Sequence, residues 1–120
     1  MDFTYQQKIA MMRILLDIVN ADGVVDVRET FFFNQLMVDF AMNEEDRKIV
    51  KEKNSLLALV QLKDMNREQK EYFSELMTKI IIVDCDINVN EVAIYDVVSD
   101  FCKIDKSFEE YDLPDGLTHS

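Results

Sequence analysis

Glycine, proline, cysteine and histidine are all scarce in this chain. Its 120 residues hold two Gly, one Pro, two Cys, one His and no Trp. A sandwich or barrel needs a turn roughly every 8–12 residues, and so few turn formers cannot supply them. Long helices joined by short loops fit this composition. Cys85 and Cys102 are too few for a disulfide framework and lack CxxC spacing, so both are expected as reduced, partly buried thiols. The one histidine, His119, sits in the C-terminal stretch. No Ser or Cys nucleophile therefore has an evident His and Asp beside it, and zinc lacks its usual ligands. Two glycines do not make a phosphate-cradling loop. These absences point away from an enzyme.

Basic residues are also few. Asp and Glu total 24 against 13 Lys and Arg, a net charge of −11. That excess repels phosphate backbones and anionic lipid, so neither nucleic acid nor a membrane surface is an expected partner. A cation, or a protein with a basic surface, fits better. No wholly apolar run approaches the ~20 residues of a membrane span. The start, Met-Asp-Phe, shows no basic region ahead of an apolar one. The expectation is a cytoplasmic protein without direct membrane insertion.

What the chain does have is apolar material, 48% of its residues, in helical spacing. Residues 4–20 place Ile9, Met12, Leu15, Leu16 and Val19 on one face, and Asp22-Gly23 ends that helix. Asp26 is a good N-cap, and Glu29 stands where it would complete a capping box. Phe32, Phe33, Leu36, Met37 and Phe40 carry this second helix to about Met42. Asn43 with Asp46 starts a short helix to about Lys53. The very apolar segment Leu56–Leu62 follows and is expected in the shared core. Asn66 with Gln69 starts a central helix to about Val83. Asn88 with Glu91 starts a helix to about 103, and Asp105 opens a last turn holding Phe108 and Tyr111. Most of the seven Met residues fall at core spacing.

The chain repeats itself. Residues 84–91, DCDINVNE, align under residues 22–29, DGVVDVRE, at an offset of 62. The same offset pairs Met11 with Phe73, Leu15 with Met77, Ile18 with Ile80, Val19 with Ile81, Phe33 with Tyr95 and Leu36 with Val98. The reading is an all-α, compact helical bundle of about six to seven helices, built from two pseudo-twofold-related helix hairpins. One domain covers 1–111, with halves at about 4–42 and 66–103 bridged by 43–65, and 112–120 form a flexible tail.

An Asp-Gly joint with Glu seven positions after the Asp, set between amphipathic helices and repeated, resembles the TerB-like family, which is associated with tellurite resistance. Ala21-Asp22-Gly23, Asp26 and Glu29 carry the likeness, echoed by Asp84, Asn88 and Glu91, and it extends over residues 6–104. The resemblance implies a small bacterial non-enzymatic domain in a stress or metal-ion response. Such domains work in complexes and use acidic clusters for metal ions. This sequence departs at the second joint, where Cys85 replaces Gly23 and Asn88 replaces Asp26. Two metal sites would then be unequal, and a role in tellurite resistance itself does not follow for this chain.

Two readings of the joints stand side by side. In one, Asp22, Asp26 and Glu29, with Asp84, Asp86, Asn88 and Glu91, offer oxygen ligands to a divalent cation such as Ca²⁺ or Mg²⁺. The stretch from Asp84 is no EF-hand, because Val89 and Tyr95 occupy the positions that need Gly and Glu. In the other, the same residues are helix caps, with Val25, Val27, Ile87 and Val89 plugging the core beside each turn. Phe31 is the odd member of Phe31-Phe32-Phe33, since neighbours on a helix diverge by about 100°. It packs on the bridge, or it anchors a partner or a second copy in a homodimer.

Overall fold

Six helices form the bundle in a computed structural model that describes residues 1–83, 86–104, 108, 118 and 119. They are α1 Tyr5–Val19, α2 Val27–Asp39, α3 Glu44–Glu52, α4 Ser55–Lys63, α5 Arg67–Ile82 and α6 Val89–Cys102. Each begins on a Thr, Asp or Asn whose side chain accepts a backbone N–H of the first turn. Thr4 with Gln7, Asn43 with Asp46 and Asn66 with Gln69 close full capping boxes. Each cap contributes about 0.5–2 kcal/mol. The expected last turn, 105–111, lies outside the described residues except for Phe108, which is buried edge-to-face against Tyr95 at 5.8 Å. Most of the expected tail does too. Thr118–His119 pair in parallel with Asp86–Ile87.

Helix α1 packs against every other helix. Its burial wraps well beyond one face, taking in Ala10, Met11, Ile14 and Ile18 as well as Ile9, Met12, Leu15 and Val19. Helix α5 supplies the matching half of the core through Phe73, Leu76, Met77, Ile80 and Ile81. Burial obeys the 62-residue offset: both members of all six pairs named above are buried.

The repeat also governs the helix ends. Thr4 and Asn66 are equivalent caps, and Gln69 Nε2 donates to its own equivalent, Gln7 Oε1, at 3.3 Å. At the other end, Ala41 and Lys103 are equivalent and both left-handed, with φ of 56° and 58°. Beyond them, Met42 N–H bonds Met37 O and Ile104 N–H bonds Ser99 O, both at 2.9 Å. This closure stops α2 at Asp39, short of the expected Met42. Each non-glycine residue held left-handed costs about 1–2 kcal/mol.

Two expectations about the core are corrected. Val25, Val27 and Val89 are exposed, and only Ile87 plugs the core beside a joint. The cap places Val27 and Val89 at the first helical position, on the outer side of α2 and α6. Within α4 only Ala58 and Leu62 are buried, while Leu56, Leu57 and Val60 face outward. A helix apolar on all sides can bury only the stripe that its neighbours cover.

Candidate functional site at the paired helix joints

The two joints meet. Asp22 Oδ1 accepts the Val24 N–H at 3.0 Å, closing the turn that Gly23 makes with φ of 77°. Its second oxygen, Oδ2, accepts from Asn88 Nδ2 at 3.1 Å. Asn88 spends its other end on α6, where Oδ1 accepts the N–H groups of Asn90 at 2.8 Å and Glu91 at 3.3 Å. The replacement of Asp26 by Asn88 in the second repeat therefore has a physical reason. An amide can cap a helix and donate to Asp22, and a carboxylate can only cap and repel.

Asp26 caps α2 alone. Its Oδ1 accepts the Arg28 N–H at 2.7 Å, and the Arg28 guanidinium lies 3.4 Å away. The hydrogen bond from the Arg28 side chain holds the Asp26 carboxyl below the usual carboxylate range. The expected capping boxes at Glu29 and Glu91 do not form. Both side chains turn inward instead, to 1% and 2% exposure at equivalent places in the first turns of α2 and α6. The positive ends of those helices favour a carboxylate there. Asp84 and Cys85 lie outside the described residues, as does the Asp86 side chain. Among the described residues, no three His, Cys, Asp or Glu side chains converge as a metal site would require.

Exchanging Asn88 for Asp tests this junction. Asn88→Asp keeps a good cap but sets two carboxylates in contact, costing about 1–2 kcal/mol at pH 7 and low salt. The penalty relative to the parent should shrink once acid protonates the carboxyls, whose ordinary pKa is about 4. Urea unfolding at pH 7 and pH 4 checks this. Equal stability at pH 7 would show that the joints do not couple.

Outside the joints lies a feature that the sequence reading missed. Leu56, at 72% exposure, Leu57 and Val60 are exposed on α4, and Val89, Val97 and Phe101 are exposed on α6, against which α4 packs. An open groove of about 350 Å³ separates the two helices, floored by Ile14 and walled by Leu59, Ala93, Ile94 and Val97. Lys63 Nζ lies over the Phe101 ring at 5.3 Å. The signal was present in α4, whose nine residues SLLALVQLK have no polar face. Phe31 is 71% exposed and aligns with exposed Val27 and Val38 on α2. It does not pack on the bridge. Cys102 is buried, and burial pushes its thiol up to about 11, so it is no nucleophile at neutral pH.

No family model matches the chain, and no curated protein does. Among solved structures it is similar to a protein of unknown function from Porphyromonas gingivalis. The TM-score is 0.71 over 87% of this chain and 82% of that one, at 22% identity. A likeness at that identity carries the fold alone. Among the described residues, no helix is long and apolar enough to cross a membrane.

Proposed function

We propose that the chain is a TerB-like interaction module, with no catalytic role, that docks a basic amphipathic helix on the α4–α6 face. The observation that carries this reading is the open apolar groove between α4 and α6, with exposed Val97 on its wall and exposed Leu56, Val60 and Phe101 elsewhere on the same two helices. Contiguous exposed apolar surface on a water-soluble domain marks a place where something binds. A groove between two helices takes a helix through anchors spaced three, four and seven apart.

Charge selects the partner. Exposed Asp96 and Asp100 neighbour Val97 and Phe101 on α6. The whole chain carries −11, which repels a second copy and attracts a basic segment. A divalent cation at the joints has less support, because hydrogen bonds and a helix cap already engage Asp22 and Asp26.

Titration calorimetry with two synthetic 14-residue helical peptides tests this reading. They share one leucine pattern, with lysine or with glutamate on the polar face. The lysine peptide should bind at micromolar Kd, and the glutamate peptide should not. The double variant Leu56→Ser with Val97→Ser, of unchanged charge, should weaken lysine-peptide binding at least tenfold. Equal binding by parent and variant would reduce the effect to charge alone and overturn the proposal. So would a concentration-dependent dimer that occupies this face in light scattering.

A further inference from the structure

A second concavity lies away from the α4–α6 groove, between the end of α1, α2 and α3, with a volume of about 170 Å³. Leu16, Val19, Phe33 and Val50 form its apolar wall. Arg47 and Lys51, one turn apart on α3, stand with Thr30 and Asn34 as its polar side. Among the described residues no carboxylate lines it, although the chain has 24 of them against 13 bases. In so acidic a protein, a concavity with two cations and no acid is a local reversal of charge.

Thr30 also lines the cavity, with its hydroxyl oxygen closed off from it: that oxygen is buried and has no hydrogen-bond partner among the described residues. Arg47 is held only loosely. Its Nε lies 3.3 Å from the carboxylate of Glu44, an exposed pair of little strength that leaves the outer guanidinium nitrogens for a ligand. The volume is close to that of a cavity that holds benzene.

We infer that this cavity binds a small organic carboxylate, with an apolar body of about six heavy atoms against Phe33 and Val19 and its carboxylate between Arg47 and Lys51. An arginine fork suits a planar carboxylate, and a lysine adds a second positive charge.

The probes are benzoate and hexanoate, compared with benzyl alcohol and benzylamine, each by ligand-observed NMR and by thermal unfolding. Benzoate or hexanoate should bind with a sub-millimolar Kd and raise the unfolding midpoint. The alcohol should bind at least tenfold more weakly, and the amine not at all. Arg47→Gln with Lys51→Gln should weaken carboxylate binding at least tenfold. Alcohol and carboxylate binding equally would make the cations irrelevant and overturn the inference. Carboxylate binding that survives the double variant would place the site elsewhere, and no binding at millimolar concentration would also overturn it. The peptide experiment on the α4–α6 face reads a different surface, so either result can fail alone.

Discussion

Replacing Arg13 with Met should lower the unfolding free energy by about 2–4 kcal/mol, a large part of the 5–15 kcal/mol that a domain of this size holds. Arg13 is the one cation that α1 sends into the packed interface with the bridge. Its Nη1 donates to the carbonyls of Lys51 at 2.9 Å and Val50 at 3.3 Å, at the open end of α3. Its Nη2 pairs with Asp17 one turn along α1, and Asp17 Oδ2 accepts the Ser55 hydroxyl at 2.6 Å. One guanidinium thus ties α1 to the end of α3 and, through Asp17, to the start of α4. Losing it leaves the partly buried Asp17 carboxylate with the Ser55 hydroxyl but no cation, and removes a donor from the carbonyls of Lys51 and Val50. The side chains are 14% and 26% exposed, so the cost falls at or below the lower part of the range for a fully buried pair. Urea unfolding checks this through a lower midpoint at unchanged slope. Removing both charges, in Arg13→Met with Asp17→Leu, should recover more than half of the loss, because no lone charge remains. A single-variant loss below 1 kcal/mol would show that the bundle does not need this tie.

The starts of α2, α3, α5 and α6 were legible from their caps, Asp26, Asn43, Asn66 and Asn88, while Asn54, the cap of α4, read as a break. Thr, Asp and Asn mark helix starts by local chemistry, which survives any tertiary arrangement. The repeat was legible for the same reason, since each half buries the same stripe. Depth was less so. The sequence reading sent Leu56–Leu62 into the core because it is the most apolar segment, yet α1, with Lys8, Arg13 and Asp17 among its residues, is the helix that others surround. Apolar content says that a residue prefers to leave water. Which residues do so depends on which neighbours arrive, and that is tertiary information. The joints show the converse. Asp22, Asp26, Glu29 and Glu91 were legible as special, but a short acidic motif cannot say whether its oxygens face a cation, a backbone N–H or another joint. The Asn88–Asp22 bond spans 66 residues, and no local pattern encodes it. The cavity was illegible because Arg47 and Thr30 lie on different helices.

The second large effect separates the two sides of α4. Leu62 is fully buried, and Leu62→Ala should cost about 2–5 kcal/mol through lost transfer energy and the cavity left behind. Leu56 and Leu57 lie one turn and a half away in the same helix, and Leu56→Ser with Leu57→Ser should change stability by no more than about 0.5 kcal/mol per site. Thermal and urea unfolding of the two variants, each at several protein concentrations, provide the comparison. The contrast bears on function because hydrophobicity alone does not distinguish these leucines. If the serine variant is as stable as its parent and loses the basic peptide, those side chains serve docking and the fold does not need them. If it loses 2 kcal/mol or more at every concentration, Leu56 and Leu57 are core residues and the docking face is gone. If the loss grows only with concentration, a second copy covers α4, and the repulsion expected between two chains of charge −11 has been overcome by the apolar area they bury together.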